Sequence, residues 1–417
     1  MNIISLRSLE ILDSRGNPTL QTYVTLDDGT IGMASVPSGA STGIHERLEL
    51  RDNQQDHYQG KSVDMAIYHI HSTISHAIVG MSINDLAAID MRLIDLDGTP
   101  QKSKLGANAI LSVSLACARA YAQYKRMPLW KALNSHYFPS ATPHFPRLMV
   151  NVINGGAHAN WVIDLQECMI VPRERIPSIS IEMSANIFHS LKKILETCGY
   201  VSSVGDEGGF APELSTNGQA FDLIGQAIRD AGYTREQIDI GTDVASSEMY
   251  DHGVYTLKKA DPSGIKHVDS AGFMRYLESL DNQYHIFSFE DPYAQDDWEA
   301  WKTITASHGG DHMIVGDDLY VTDPARIRTG IEKSASNAVL IKVNQIGTLF
   351  ETVQAIKLAQ KAGWKVIISH RSGETTDTFI SDLAVGCHAD FIKAGSMSRS
   401  ERLAKYNRLL EIEKIEF

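Results

Sequence analysis

The sequence predicts an α/β protein in which a smaller N-terminal α+β domain, residues 1–136, precedes a C-terminal (β/α)8 barrel of the TIM type, residues 137–417. Three observations carry this prediction. Hydrophobic residues alternate with period two up to about residue 37 and follow a helical period from about residue 61 to 133. Residues 134–146, rich in proline and polar side chains, then break all periodicity, and short β-rich runs recur along the rest of the chain.

The N-terminal elements are predicted from local patterns. Residues 19–26 alternate in the manner of a strand, DDG at 27–29 is a turn, and the alternation resumes at 30–36. Further along, the apolar residues of 104–125 recur three and four positions apart, which is typical of a helix with one buried face. Antiparallel strands followed by helices make an α+β domain.

The barrel is predicted from a repeat of one strand, one loop and one helix. Each β-rich run ends in a charged or polar residue, and these residues are Asp243, Glu290, Asp317, Lys342, His370 and Lys393. Helix signals fill the gaps: Asp323 and Pro324 have the residue types of an N-cap and first helical position, and an apolar stripe in 351–364 ends at Gly363. Eight such units close a barrel in ~250 residues, and the carboxyl ends of its strands meet on one face.

The composition excludes several classes of protein. With 43% hydrophobic and 21% charged residues the chain can bury a large core, and it has no apolar run of the ~20 residues that span a bilayer. A net charge of −13 disfavours binding to nucleic acid or anionic lipid. Four widely spaced cysteines argue against a zinc ribbon or a disulfide framework, and the charged N-terminus lacks a secretory signal. We therefore expect a soluble cytoplasmic protein with small-molecule partners.

Three carboxylates at strand ends indicate a metal site. Asp243, Glu290 and Asp317 each end a different predicted strand, so closure of the barrel would bring them together. Converging carboxylates without cysteine or histidine suit a hard, oxygen-preferring cation, Mg²⁺ before Mn²⁺ or Zn²⁺. Each acid taken alone would more simply be a solvated loop residue, and it is the matching positions that favour the metal.

Basic residues at three further strand ends indicate catalysis or anion binding. Lys342 and Lys393 end apolar strands, where a lysine is rare because burial of an ammonium group is costly. They are either salt-bridge partners of the carboxylates or, beside a metal ion, a base of lowered proton affinity. His370, Arg371 and Ser372 supply cations and a hydroxyl that suit an oxyanion or phosphate.

Two glycine-rich loops are further candidates. VGDEGGF at 204–210 places Asp206 and Glu207 between glycines, where the backbone can present an acid to a ligand, although a plain acidic turn has the same pattern. SGASTG at 38–43 lacks the Gly-Lys-Ser/Thr ending of a phosphate-binding P-loop and is compatible with an ordinary hairpin.

The motifs together resemble the enolase family over nearly the whole chain. They stand in the expected order and spacing: DSRGNP (13–18), VPSGASTG (36–43), SKLGANAI (103–110), NVINGGAHA (151–159), VGDEGGFAP (204–212), SFEDP (288–292), GDDL (316–319), IKVNQIGT (341–348), SHRSGET (369–375) and RLAKYNRLLEIE (402–413). The resemblance implies an N-terminal domain that caps the barrel and a lyase that dehydrates 2-phosphoglycerate to phosphoenolpyruvate in glycolysis and gluconeogenesis.

The resemblance also implies a role for each site residue. It implies two Mg²⁺ ions, the first held by Asp243, Glu290 and Asp317 and the second by Ser41. Lys342 would take the C2 proton and Glu207 would protonate the departing C3 hydroxyl, with the catalytic residues Glu167 and His158 supporting that side. The substrate would contact His158, Glu167, Glu290, Asp317, Lys342, His370, Arg371, Ser372 and Lys393, with phosphate at 370–372 and carboxylate at Lys393. A homodimer or a higher homo-oligomer is expected.

Two alternatives to this function remain at the level of sequence. One is a paralogue that acts on a phosphonate or another phospho-acid, and the other is a surface protein that binds plasminogen. Residues 249–255 lack the basic side chains of a plasminogen-binding segment, and Lys342 with Glu207 favours catalysis. The pair Asn160 and Trp161, where relatives carry small residues, either anchors loop 157–164 or alters its closure over substrate.

Overall fold

The computed structural model describes residues 1–39, 43–260, 264 and 266–417. The chain begins with an antiparallel sheet of three strands, β1 (Ile3–Leu12), β2 (Pro18–Leu26) and β3 (Ile31–Ser35). The predicted turn at 27–29 joins β2 to β3, and its Gly29 has a φ of 85°, a value that side chains disfavour. The predicted hairpin is therefore confirmed.

Helices follow this sheet in the chain. They are α1 (Asp64–His69), a π-helical turn (Ile70–Ile74), α2 (Ser75–Ile78), α3 (Leu86–Asp97), α4 (Ala107–Tyr124) and α5 (Leu129–Tyr137). Helix α4 lies directly on β2 and β3, and a Cβ at Gly32 would come within 2.2 Å of the Ala116 carbonyl oxygen. A glycine at this position therefore permits the close approach of helix and strand.

Eight strands close into a barrel, which confirms the predicted fold class. In chain order they are β4 (Arg147–Asn154), β5 (Glu167–Pro172), β6 (Ile238–Asp243), β10 (Ile286–Glu290), β11 (Met313–Gly316), β12 (Ala338–Ile341), β13 (Lys365–Ser369) and β14 (Phe391–Lys393). A small sheet of β7 (Tyr250–Asp251), β8 (Val254–Leu257) and β9 (Lys266–Val268) follows β6. The barrel interior is filled mainly by methionine and branched side chains, such as Met149, Met169, Val315, Leu340 and Ile367.

Helices surround the barrel. They are α6 (Pro177–Thr197), α7 (Asn217–Asp230), α8 (Ser270–Tyr284), α9 (Trp298–His308), α10 (Pro324–Lys333), α11 (Val343–Ile346), α12 (Leu349–Lys361), α13 (Phe379–Gly386) and α14 (Ser400–Glu411). The predicted N-cap is confirmed, since the Asp323 carboxylate accepts the backbone N–H of Ala325 at 2.7 Å. One apolar cluster runs from the N-terminal sheet into the barrel, so the two parts share a core.

The first two strands depart from the predicted regular repeat. Strand β5 runs antiparallel to both β4 and β6, whereas the remaining neighbours are parallel. The twelve residues 155–166 that join β4 to β5 form one 3₁₀ turn and no α-helix, whereas a parallel crossover is usually made by a helix that returns the chain to the edge where the first strand began. Because β5 is reversed, its first residue, Glu167, lies at the barrel end where the other strands finish.

Other expectations concern the connection between domains, the cysteines and membranes. Residues 138–146, all within the described ranges, contain neither helix nor strand, and the domain boundary near residue 136 stays a prediction. All four cysteines are free thiols. Across the part of the chain that the structure describes, no helix is both long and apolar enough to cross a membrane.

Candidate active site

The strand-end residues meet at one end of the barrel. Asp243, Glu290 and Lys393 are the last residues of their strands, and Asp317, Lys342 and His370 directly follow theirs. One pocket at this end is lined by ten of the predicted residues: His158, Glu167, Glu207, Asp243, Asp317, Lys342, His370, Arg371, Ser372 and Lys393. Glu290 lies fully buried beside them, and the predicted ligand Ser41 falls outside the described residues.

Lys393 lies at the centre of the acidic side of the pocket. Its Nζ is 2.9 Å from Glu290, 3.1 Å from Glu167 and 3.3 Å from Asp243. Burial alone would lower the pKa of Lys393, but these three carboxylates raise it well above the ordinary value. Lys393 therefore remains positively charged and can bind an anion.

Lys342 forms a short ion pair with Asp317. Burial alone would lower the pKa of the Lys342 ammonium, but the Asp317 carboxylate raises it above the ordinary value. Lys342 thus forms the expected salt bridge, and its role as a base beside a metal ion stays a prediction. The salt-bridge interpretation describes what is observed.

Glu167, Glu207 and His158 form the third part of the pocket, with ligand atoms within 4.8 Å of one another. Burial, followed by the nearby Glu207 carboxylate, raises the pKa of Glu167 well above its ordinary value. Burial acts in the same direction on Glu207, but the surrounding histidine, arginine and lysine side chains hold the pKa of Glu207 well below its ordinary value. Glu167 and Glu207 therefore titrate as a coupled pair, in which the neighbours favour the proton on Glu167 over Glu207.

Loop 204–210 carries Glu207 to the pocket because it is attached to β4. The backbone N–H of Phe210 donates to Val152 O at 2.9 Å, and Asn154 N donates to Phe210 O at 2.8 Å. The Asn151 side chain, also on β4, donates to Glu207 Oε2 at 3.0 Å. The glycine-rich motif is therefore a loop that orients an acid into the pocket and not a solvated turn.

Arg402 holds the His370, Arg371 and Ser372 segment in place. Its guanidinium donates to Nδ1 of His370 at 2.7 Å and to the carbonyl oxygens of Arg371 and Ser372 at 2.6 Å. Since Arg402 can only donate, Nδ1 of His370 accepts and the proton lies on Nε2. Burial also lowers the pKa of His370 well below its ordinary value, so a neutral imidazole offers one N–H to a ligand.

Arg371 is paired with a residue of the N-terminal domain. Its guanidinium donates to both oxygens of Glu46, at 2.8 and 3.1 Å, and to Asn344 Oδ1 at 2.9 Å. Such a two-point contact fixes the plane of the guanidinium group. Glu46 therefore ties the segment that follows residue 42 to the anion-binding side of the pocket.

The donor set fits a divalent cation. Carboxylates outnumber the lysines that line the pocket, and the buried acceptor atoms Oε1 of Gln166 and Oε2 of Glu167 have no hydrogen-bond donor. Oxygen ligands with excess negative charge suit Mg²⁺. Within the described residues, however, the three acids whose carboxylate oxygens lie within 4.8 Å of one another are Asp291, Asp317 and Asp318. The predicted ligands Asp243 and Asp317 are instead paired with Lys393 and Lys342.

Loop 157–164 is anchored at two points. Asn160 and Trp161 have φ values of 52° and 59°, in the left-handed region. The Trp161 ring is half-buried against the core, and Lys258 Nζ lies 4.4 Å from its centroid. These contacts favour the anchoring interpretation of Trp161, and an effect on closure stays a prediction.

Asp164 is the second anchor, and its removal should destabilise the protein. The buried carboxylate accepts the backbone N–H groups of Lys258 and Lys259, at 2.9 and 2.7 Å, and the Asn217 amide at 2.9 Å. We expect Asp164→Ala to lower the free energy of unfolding by about 3 kcal/mol, because donors lose their acceptor. Urea unfolding tests this against Glu213→Ala, an exposed control. Equal midpoints for the two variants would contradict it.

Several residues of the site were not predicted from the sequence. Gln166, Glu46, Asn344 and Arg402 all contact predicted site residues. Arg402 lies within a quoted motif, RLAKYNRLLEIE, and an arginine that begins a mostly buried helix face is a signal that could have identified it. Asn344 likewise lies within a quoted motif, IKVNQIGT, two residues after Lys342. Gln166 and Glu46 contact the site through the tertiary fold, and no quoted motif contains them.

Comparison with known protein families agrees with this fold. Residues 3–133 match the family described as Enolase, N-terminal domain. Residues 143–416 match Enolase, C-terminal TIM barrel domain. The two matches include every described residue of the pocket and nearly the whole chain, and they show that the chain belongs to the enolase family.

Proposed function

We propose that this protein is a Mg²⁺-dependent lyase that reversibly dehydrates 2-phospho-D-glycerate to phosphoenolpyruvate. Family membership supports an enolase-like enzyme of the lyase type. One observation carries the finer proposal: Lys342 and the carboxyl pair Glu167 and Glu207 line a single pocket that also holds anion-binding groups. A base, an acid and two sites for negative charge are therefore available to one small molecule.

The charges of the pocket support an orientation for the substrate. The phosphate would bind Nε2–H of His370, Arg371 and Ser372, and the carboxylate would bind the permanently charged Lys393. This orientation directs C2 toward Lys342 and the C3 hydroxyl toward Glu207. Binding at both ends of a short substrate lowers the entropy cost of the reaction.

In the proposed reaction, Lys342 in its neutral form takes the C2 proton, and the electron pair left on C2 forms the C2–C3 double bond. The C3 hydroxyl leaves as water after it accepts a proton from Glu207. Glu207 would receive this proton from Glu167 or His158, whose ligand atoms lie within 4.8 Å of it. Atoms and charges balance because one proton leaves C2 and one joins the hydroxyl.

The acidic residues would hold the metal. Asp243, Glu290 and Asp317 are proposed as ligands of a first Mg²⁺ and Ser41 of a second. When bound, Mg²⁺ neutralises the charge that develops on the substrate carboxylate as the C2 proton leaves. The protein itself adds a second positive charge, the Lys393 ammonium, which would bind the same substrate carboxylate.

An assay for phosphoenolpyruvate tests the proposal directly. Ultraviolet absorbance should rise when 2-phosphoglycerate is added with Mg²⁺, stop after chelation and resume when Mg²⁺ is restored. No turnover of 2-phosphoglycerate, with turnover of a phosphonate analogue, would indicate the paralogue.

The oligomeric state and the location of the protein need separate experiments. Light scattering of the same sample tests the proposed homodimer or larger homo-oligomer. Cell fractionation tests the proposed cytoplasmic location and any additional surface location.

The acid and base steps should be separable. Glu207→Gln removes the proton donor for the C3 hydroxyl but leaves Lys342 in place, so we expect dehydration to fall by roughly 10²–10⁴-fold. Exchange of the C2 proton with deuterated water, followed by NMR, should continue. Glu213→Gln, in an exposed loop, is the matched control. Equal loss of exchange and dehydration in Glu207→Gln would reassign its role.

A further inference from the structure

Gln345 is a fully buried amide between the proposed base and a proposed metal ligand. It lies on the one-turn helix α11, three residues after Lys342, and has 0% exposed surface. A buried amide is costly unless its donors and acceptor are paired. Its partners therefore determine what the residue does at this position.

A directed chain of hydrogen bonds runs through Gln345. The backbone N–H of Lys342 donates to Thr322 Oγ1 at 2.9 Å, and the Thr322 hydroxyl is 2.8 Å from Gln345 Oε1. Gln345 Nε2 is 2.9 Å from Asp317 Oδ1. An ionised Asp317 carboxylate can only accept, so the Gln345 amide nitrogen faces Oδ1. The amide oxygen Oε1 is then left to accept the Thr322 hydroxyl, which itself accepts the Lys342 N–H.

The two carboxylate oxygens of Asp317 have different partners. Oδ1 accepts the Gln345 amide, and Oδ2 faces Lys342 Nζ. The carboxylate plane is thus set by a neutral donor that does not compete for Oδ2. Gln345 also reaches the N-terminal domain, because its backbone carbonyl oxygen accepts the backbone N–H of Arg47 at 2.9 Å and its Nε2 lies 3.4 Å from Glu46 Oε1.

We propose that Gln345, with Thr322, is a positioning residue that holds Asp317 in the orientation needed for Mg²⁺ and aligns the backbone of Lys342. The inference rests on the proposed metal role of Asp317. Groups that orient metal ligands typically change metal affinity by 10–100-fold when they are removed. A residue that only fills space would leave that affinity unchanged.

Isothermal titration with Mg²⁺ alone, on the full chain, tests the inference. We expect Gln345→Leu, which keeps volume but loses the amide hydrogen bonds to Thr322, Asp317 and Glu46, to weaken Mg²⁺ binding by about 10–100-fold. Thr322→Ser keeps the hydroxyl and should bind Mg²⁺ like the parent. Gln354→Leu, on the exposed face of α12, is the matched control and should also bind like the parent.

The outcomes separate this inference from the proposed function. If the parent binds no Mg²⁺, the proposed function fails. If the parent binds Mg²⁺ and Gln345→Leu binds it equally well, only the role of Gln345 is overturned. If circular dichroism shows that Gln345→Leu does not fold, Thr322→Val is used instead, because it removes the hydroxyl that links Lys342 to Gln345. Mg²⁺ affinity like that of the parent in Thr322→Val would overturn the inference as well.

Discussion

Lys342→Ala is expected to lose exchange of the substrate C2 proton and to lower kcat by roughly 10²–10⁴-fold, the range of a missing general base. Lys342 directly follows β12 and faces the pocket, and its ammonium lies against Asp317. An alanine offers no proton acceptor, so C2 keeps its proton even when substrate is bound. Exchange into deuterated water, measured by NMR, reports this step apart from dehydration.

The Lys342 experiment needs a control for stability. Removal of Lys342 leaves the buried Asp317 without its ion-pair partner, so the melting temperature of the variant is measured as well. Lys333→Ala, an exposed lysine at the end of α10, should keep both exchange and turnover. Exchange at the parental rate in a folded Lys342→Ala would show that another group takes the proton.

Glu290→Gln is expected to abolish turnover and Mg²⁺ binding while leaving the metal-free protein about as stable as the parent. Burial, followed by the nearby Asp243 carboxylate, raises the pKa of Glu290 well above its ordinary value. Burial and the like charge of Asp243 therefore disfavour a carboxylate there, and an amide of nearly the same shape relieves both effects while its oxygen can still accept from Lys393 Nζ. A metal ligand, in contrast, must be ionised, and an amide is a much weaker ligand.

Thermal unfolding with and without Mg²⁺ measures both parts of this prediction. A ligand at 100 times its dissociation constant stabilises the folded state by about 2.7 kcal/mol, so the parent should melt at a higher temperature in Mg²⁺. Glu290→Gln should lack this shift, whereas Glu299→Gln, exposed on α9, should keep it. A parental shift in Glu290→Gln would move the metal to Asp291, Asp317 and Asp318.

Local pattern was sufficient to locate most reactive residues. Asp243, Glu290 and Lys393 end runs of β-branched and aromatic residues, and Asp323 with Pro324 begins a helix. Each of these signals is formed by residues a few positions apart in the sequence, so it can be recognised without the tertiary structure. The resemblance added roles for these residues, and those roles remain proposals.

The reversed direction of β5 depended on the whole barrel. Periodicity is the same for a strand read in either direction, so no pattern distinguishes a parallel from an antiparallel β5. Its direction goes with the helix-free connection 155–166 and with antiparallel pairing to both β4 and β6. That reversal places Glu167 opposite Asp243 and within reach of Glu207.

Charge pairing was also decided by the folded chain. Arg371 meets Glu46, which is 325 positions away, and Lys342 meets Asp317 across 25 positions. The strength of such a pair depends on the distance through space and on the water excluded around it, and sequence spacing encodes neither. The order of residues thus specifies which reactive side chains the pocket contains, and only the closed barrel specifies their partners and their protonation.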